Sequence, residues 1–418
     1  MKQIQGVKGV KDILPDDSAI WQHIQQKAHN IFHTFGYSEI IIPVIESADL
    51  FLRSIGETTD IVEKEMYTFE DRDGKKIALR PEGTASVVRS YIEHNIQQTV
   101  PFSKLYYIGP MFRRERPQAG RYRQFYQIGA EVFGFEHSMI DAEMLFMLDQ
   151  FFQSLNINGL ELQINSIGCP TCRPGFREAL RNFFTGRLKE LCENCQRRFE
   201  LNPLRILDCK STHCHTLAGE APKTLEYLCT DCLTHFNRVQ DSLKKAGVSY
   251  LINQRLVRGL DYYTRTAFEF VSGSIGAQNT VAAGGRYNTL VEELGGPPTP
   301  AIGFSIGMER LVSIFDSSSV EKRASAVFIA ALGDKAQERA FDLLNQLHRE
   351  GISAIMDYIG GSLKSQMRKA DKFNTPHVVI IGEDELAKGI VILRDMKNKT
   401  QEEVYLLEIV GKLKLFRA

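Results

Sequence analysis

Apolar positions along the chain change period several times, and each change predicts a different element. Ile20, Ile24, Ala28, Ile31 and Phe32 recur at helical spacing. They predict a helix over 18–35, with Ser18 as N-cap and Gly36 ending it. The β-branched run EIIIPVIE follows, and Pro43 inside it suits an edge strand or a bulge. MYTFEDRDGKKIALRP alternates on both sides of Asp73-Gly74, a hairpin signal. RPEGTASVVRSYIEHN predicts a helix through Val87, Val88, Tyr91 and Ile92, capped by Thr84. KLYYIGPMFRRE and RQFYQIGAEVFG predict a long antiparallel pair with a basic tip, RPQAGRY. A helix over 141–155 turns Leu145, Leu148, Phe152 and Leu155 inward.

The antiparallel pattern resumes after residue 250 in RLVRGLDYYTRTAFEFV and GGRYNTLVEEL. It ends at PAIGFSIGMERLVSIF, a strand that feeds a helix. SSSVEKRAS at 317–325 reads as a linker. From 326 onward, strands (AVFIAAL, ISAIMDY, HVVIIG) alternate with helices over 334–349 and 362–372. That is a small α/β domain with its own core. A length of 418 residues fits two or three domains.

Charge narrows the function classes. Lysine plus arginine number 51 and aspartate plus glutamate number 51. This balance argues against a protein held to nucleic acid mainly by counterion release, and leaves a local basic patch open. The N-terminus has no apolar signal region, and no apolar run approaches the ~20 residues of a membrane span. The expectation is a cytoplasmic protein with no membrane partner. In a reducing cytosol, the eight cysteines need an account other than disulfides.

Three stretches carry candidate chemistry. On a strand, residues of equal parity share a face, so Phe125, Gln127, Gly129 and Glu131 lie together. An aromatic, an amide, a glycine and a carboxylate make a poor core and a reasonable floor for a polar ligand pocket. A solvated sheet face is the bland alternative. In LVRGLDYY, strand parity cannot put Arg258 and Tyr263 on one face, so Gly259 is expected to mark a bulge or turn. In AIGFSIGMERL, Gly303 and Gly307 permit close approach and Arg310 opens a helix, a pattern common in ordinary sheets.

In this order the stretches resemble the three signature motifs of class II aminoacyl-tRNA synthetases. FGYSEIIIPVIE looks like motif 1, YIGPMFRRERPQAGRYRQFYQIGAEVFG like motif 2 and PAIGFSIGMERL like motif 3. RLVRGLDYY and AAGGRYN narrow the resemblance to the bacterial histidyl-tRNA synthetase family, over essentially the whole chain. The resemblance implies an α+β fold with an antiparallel sheet of six to seven strands and flanking helices. It implies a catalytic domain in two parts, 1–168 and 246–320, an inserted small domain at 169–245 and a C-terminal α/β anticodon-binding domain at 326–418.

It also implies an enzyme that ligates L-histidine to its tRNA through a histidyl-adenylate, using ATP with Mg²⁺, as a homodimer. The carboxylate of histidine attacks an anionic phosphate, so cations must offset the repulsion. Arg113 and Arg258 would contact the α-phosphate as catalytic residues. Arg121 and Arg310 would hold the outer phosphates, with Glu115 also at the ATP site, and Phe125 would stack on adenine. Glu82, Gly83, Thr84 and Gln127 would bind the α-ammonium group. Glu131 and Tyr263 would hydrogen-bond the imidazole, with Tyr262 shaping the pocket. The family usually has aspartate where this chain has Asn288. The basic helix carrying Lys364, Arg368, Lys369 and Lys372 is expected to touch tRNA, although such charge runs are often only solvated faces.

Every cysteine lies between 169 and 232, as the pairs Cys169–Cys172, Cys192–Cys195, Cys209–Cys214 and Cys229–Cys232. Closely spaced thiolates suit tetrahedral zinc of a structural kind. Eight could serve two four-cysteine sites or four could serve one, with His213, His215 or His235 substituting. Unmetallated reduced thiols are the other reading. Three rival functions remain in view. A histidine-sensing regulatory paralogue would lack the last domain and parts of the motifs. A class II ligase for another amino acid would lack LVRGLDYY and Glu131. A zinc-ribbon nucleic-acid-binding protein would leave all three motifs as coincidence.

Overall fold

A computed structural model describes residues 3–417 apart from 57, 58, 60, 101, 119, 210, 261, 275–278 and 321–324. The chain forms two compact units, Met1–Val320 and Glu321–Ala418. Of the linker expected at 317–325, residues 321–324 lie outside the described set.

The first helix spans Pro15–Thr34 and so begins a turn before Ser18. Proline suits the first helical position because no amide is needed there. The Ser18 hydroxyl donates back to the Pro15 carbonyl at 3.0 Å and caps nothing. Strand β1 (Ser38–Glu39) ends before Pro43 and β2 (Ile45–Ser47) starts after it. The Arg80 side chain holds this bend, donating to the carbonyls of Ile42 at 2.5 Å and Pro43 at 3.0 Å. Strands β3 (Tyr67–Glu70) and β4 (Lys76–Leu79) form the expected hairpin and join β2 in a small sheet.

The main sheet adds β5 (Ser103–Phe112), β6 (Gln124–Phe133), β7 (Leu160–Ser166), β8 (Leu251–Ile252), β9 (Thr264–Ser272), β10 (Thr280–Arg286) and β11 (Ala301–Gly307). Its order is β1-β5-β6-β11-β10-β9-β7-β8. The six central strands are antiparallel, as expected. The short rim strands β1 and β8 pair in parallel, which makes eight strands in a mixed sheet. Strands β5 and β6 stay in register from Ser103 opposite Phe133 to Phe112 opposite Gln124. Their even-numbered residues Tyr106, Ile128, Ala130 and Val132 join Ile24, Phe32, Leu145 and Leu148 in the core. That core lies under the helices Pro15–Thr34 and Met139–Ser154. The odd-numbered face is left for ligands.

The insertion folds within the first unit as the helices Arg173–Thr185, Glu193–Leu201, Thr212–Gly219 and Thr230–Lys245. Phe176, Leu180, Phe184, Leu204 and Ile206 make a small core that continues into Val257, Tyr262 and Tyr263. The second unit holds β12 (Val327–Ala331), β13 (Ala354–Met356), β14 (His377–Ile381), β15 (Ile390–Asp395) and β16 (Gln401–Tyr405), in the order β13-β12-β14-β15-β16. Its first three strands are parallel and its last pairings antiparallel. The helices Asp334–Arg349 and Leu363–Lys372 belong to separate apolar clusters on this sheet. No helix among the described residues is long and apolar enough to cross a membrane.

Candidate active site

The odd-numbered face of β6 carries two adjoining compartments. The first is an open cleft of about 250 Å³, lined by Arg113, Glu115, Arg121, Phe125, Gln127, Arg258, Glu309 and Arg310 among others. Strand β5 and the loop after it supply Arg113. Its Nε donates to the Pro81 carbonyl at 2.9 Å, and its guanidinium lies 5.1 Å from the Phe125 ring centre. Arg121 donates to Glu115 at 2.7 Å. Arg310, just inside the helix Met308–Ile314, donates to the Thr280 carbonyl at 2.6 Å. Burial, then the neighbouring Arg121 and Arg113 charges, lower its pKa. A cluster of guanidiniums in a polar cleft suits a polyanion, because each stays charged and grips oxygens in a fork.

Arg258 sits at the back of this cleft. The stretch 256–260 is a turn and coil, so the parity conflict dissolves; Asp261 lies outside the described residues. The guanidinium stands 5.3 Å over the Tyr263 ring and pairs with Glu269, which also accepts from Thr280 at 2.9 Å. Burial works against its charge, but Tyr263 and Glu269 more than offset this and raise its pKa.

The second compartment is buried and lined by carboxyl and phenol groups. Glu131 is fully buried. It accepts a hydrogen bond from the Thr84 hydroxyl at 2.7 Å and another from the Tyr287 hydroxyl at 2.5 Å. Burial pushes its pKa well above the carboxylate range, the two hydroxyls pull it back, and Glu82 pushes it up again. Gly303 explains how such a carboxylate fits. It faces Glu131 in register across β11 and β6, and a Cβ there would stand 1.6 Å from a Glu131 oxygen.

Glu82, not Thr84, caps the helix Thr84–Glu93. Its carboxylate accepts from the Thr84 and Ala85 amides at 2.8 Å each. The Glu82 carboxylate already accepts from the amides at the helix start, and the Thr84 hydroxyl spends its own proton on the buried Glu131 carboxyl. Burial raises the Glu82 pKa, and the two helix amides and Arg113 oppose it. Gly83 lies against the Tyr107 ring.

Tyr262 and Tyr263 close the chamber, with ring centres 4.7 Å apart. The Gln127 amide oxygen is buried and has no hydrogen-bond partner among the described residues. Buried polar atoms of this kind mark places where a polar ligand is accommodated.

Sequence reading missed two residues here. Tyr287 continues the face of Ala283 and Gly285, which pair with Ser305 and Gly303 of β11, so it points into the chamber while Arg286, one residue back, points away to bind Asp141. Glu309 accepts the Tyr126 amide at 3.0 Å, and burial raises its pKa to about 7. An arginine-lined cleft beside a buried set of carboxyl and tyrosine side chains, both on one largely antiparallel sheet, is the catalytic architecture of class II aminoacyl-tRNA synthetases.

Comparison with known proteins specifies the member. The histidyl-tRNA synthetase family model matches residues 9–170 and 187–311, and an anticodon binding domain model matches 326–415. A histidine–tRNA ligase of Syntrophotalea carbinolica is 52% identical over 403 residues, covering 96% of each chain. One of Geobacter sulfurreducens is 54% identical over 401 residues, covering 96% of this chain and 97% of that one. The crystal structure of apo S. aureus histidyl-tRNA synthetase matches with a TM-score of 0.84 at 37% identity, over 99% of this chain and 100% of that one. The chain belongs to the histidyl-tRNA synthetase family.

Away from this site, Lys364 and Arg368 on the helix Leu363–Lys372 are exposed, whereas Lys369 is paired with Asp357 at 2.5 Å.

Proposed function

We infer that the chain activates L-histidine with ATP and transfers it to histidine tRNA, releasing AMP and pyrophosphate. The observation that carries this reading is the junction of the two compartments along β6. Phe125 and Gln127 line the cationic cleft, and Glu131 lies in the buried chamber four residues on.

ATP enters as its Mg²⁺ complex, with Phe125 against adenine and Arg121 and Arg310 on the outer phosphates. Carboxylates at the cleft, such as Glu115 and Glu269, suit a cation carried on phosphate oxygens. Histidine lies in the chamber, its ammonium group near Glu82, Thr84 and Gln127. Its imidazole meets Glu131 and Tyr263, with Tyr262 walling the pocket. A chamber built from such groups rejects side chains that leave them unpaired. Its carboxylate then points toward the cleft, between Arg113 and Arg258, and attacks the α-phosphorus as pyrophosphate leaves. These two guanidiniums offset the charge that builds there. The adenylate carbonyl is next attacked by a terminal ribose hydroxyl of tRNA, which displaces AMP. No covalent enzyme intermediate is needed, so positioning and electrostatics supply the rate.

The C-terminal unit suits anticodon contact, with Lys364 and Arg368 as candidate phosphate partners. Homodimerisation is supported by motif 1. Ile41, 89% exposed, and Ile45, 53% exposed, project from a segment rich in apolar residues. Eight unbridged cysteines agree with a reducing cytoplasm, and their clustering with structural zinc. The histidine-sensing paralogue predicts losses in the motifs and no last domain, and neither loss is present.

Histidine-dependent ATP–pyrophosphate exchange tests the reading. Exchange with histidine alone, followed by charging of histidine tRNA, is the expected result. Absence of exchange in folded protein would overturn it, and exchange with another amino acid would overturn the roles of Glu131 and Tyr263.

A further inference from the structure

The eight thiols divide into two sets, Cys169, Cys172, Cys229 and Cys232, and Cys192, Cys195, Cys209 and Cys214. Within each set all sulfurs lie within 4.8 Å of one another. None is in a disulfide. In the first set the Cys169–Cys172 sulfurs stand 3.7 Å apart, Cys169–Cys229 3.9 Å and Cys172–Cys232 3.9 Å. In the second, Cys192 and Cys209 stand 3.8 Å apart. Four thiolates bound tetrahedrally at about 2.3 Å from zinc have sulfur–sulfur edges of about 3.8 Å.

The surroundings agree. Backbone amides donate to sulfur from Cys169 to Cys172 at 3.2 Å, from Cys192 to Cys214 at 3.2 Å and from Ser211 to Cys209 at 3.4 Å. Such donors favour the thiolate form that metals need. Gly168 has a φ of 72°, and a Cβ there would come within 2.8 Å of the Cys172 sulfur. No histidine belongs to either set among the described residues, and His235 is instead bound to Asp141 at 2.8 Å.

Each set is followed or spanned by one arginine that reaches the loop 256–263. Arg173 comes directly after Cys172, opens the helix Arg173–Thr185, and donates to the carbonyls of Gly168 and Tyr263. Arg205, in the turn Pro203–Ile206 between Cys195 and Cys209, donates to the Gly259 carbonyl at 2.6 Å. The described part of this loop carries Arg258, Tyr262 and Tyr263 and pairs with no strand. Its backbone is therefore set by what grips it.

We propose that the insertion holds two zinc ions, each in four thiolates, and that each ion fixes an arginine clamping one end of the substrate loop. The clamp rests on the synthetase reading only for what the loop does; the metal sites do not. Zinc takes no part in the reaction, and Arg173 and Arg205 are positioning residues.

Mass-spectrometric metal analysis of the full chain, purified without chelator, is expected to give two zinc per chain. Cys169→Ser with Cys172→Ser removes one ion, and Cys192→Ser with Cys195→Ser removes the other. Cobalt grown into the protein should show the visible absorption of a tetrahedral thiolate centre. Folded protein with no bound zinc, or with one ion, overturns the site assignment. For the clamp, Arg205→Ala keeps both ions, speeds hydrogen exchange of the amides at 256–260, and raises the KM for histidine about tenfold with a smaller change in kcat. Arg205→Lys recovers part of both effects. Unchanged amide exchange in Arg205→Ala overturns the clamp. Because amide exchange does not need catalysis, an inactive enzyme with two zinc ions and a protected loop counts against the synthetase reading alone.

Discussion

The cleft and the chamber share a sheet face and differ in almost every physical respect. The cleft is open and cationic, and several of its arginines already spend donors on backbone carbonyls, as Arg113 does on Pro81 and Arg310 on Thr280. Water can solvate what it holds, so its charges cost the fold little. The chamber is buried, and burial works against charge on its carboxyls. Glu82 and Glu131 are buried there with raised pKa values, among tyrosines whose own pKa values burial also raises. In the proposed reaction the cleft takes a triphosphate that brings its own charge. The chamber must discriminate a small side chain, which takes buried, committed polar groups. Specificity is therefore kept where it destabilises the protein, and charge neutralisation where it does not.

Mutation can break this comparison. The largest expected effect is in the cleft. Arg113→Ala should lower the rate of histidine-dependent exchange about a thousandfold, close to 4 kcal/mol of transition-state stabilisation. Its unfolding free energy should stay within about 1 kcal/mol of the parent, because the guanidinium is partly solvated. A large loss of stability in denaturant titration would show that the cleft is not the cheap half.

Glu131→Gln tests the other half and should move the two properties apart. The amide keeps the shape but cannot ionise when the substrate imidazole meets it, so kcat/KM for histidine should fall about a hundredfold. Stability should rise. A carboxyl whose folded pKa lies above its unfolded value costs nothing while protonated in both states. The cost grows as pH climbs from the unfolded pKa toward the folded one. The gain from Gln should thus be small near pH 4 and largest at neutral pH and above. A variant less stable than the parent at pH 8 would contradict the account.

Glu309 lies between these extremes, buried at the cleft wall. Its pKa rises from an ordinary 4.5 to about 7, which corresponds to about 3 kcal/mol, and screening at the cleft mouth leaves roughly 2 kcal/mol. Stability should be lost as pH rises from 4.5 through 7. Glu309→Gln should flatten that slope, read as the urea midpoint at successive pH values. An equal slope in both proteins would assign the pH dependence elsewhere.

What could be read from the sequence follows the same divide. The cleft was legible because its arginines fall on local strand and turn patterns, and because Phe125 and Gln127 share strand parity. The face of Glu131 was legible for the same reason. Its partners were not. Tyr287 shares the parity of Ala283 and Gly285, but it meets Glu131 only because β11 lies between β10 and β6, and that strand order is not carried by any local period. Thr84 looked like a helix cap because capping statistics are local, and a competing carboxylate 47 residues away is not. Five of the six central strands were read from their residues, β7 was not, and the two-residue rim strands are too short to show a period. The cysteine spacing announced a cluster, but which pairs share a set depends on the fold of the insertion. Whether 256–263 was a strand could not be decided from its residues, since the arginines that grip it come from other segments.

The smallest expected effect gives the sharpest test of the chamber. Tyr287→Phe removes one of the two hydroxyl donors to Glu131 and leaves the ring that packs 5.7 Å from Tyr262. A single buried hydrogen bond is worth about 1.5 kcal/mol at most, so kcat/KM for histidine should fall up to about tenfold. The loss should appear for histidine and not for ATP, because Tyr287 acts through the orientation of Glu131. In Glu131→Gln the same tyrosine change should cost much less, since the carboxyl that its hydroxyl oriented is gone. Their combined effect would then fall well short of the sum. Full additivity would mean that Tyr287 acts on the substrate independently of Glu131, and the chamber would have two separate recognition elements instead of one supported carboxylate.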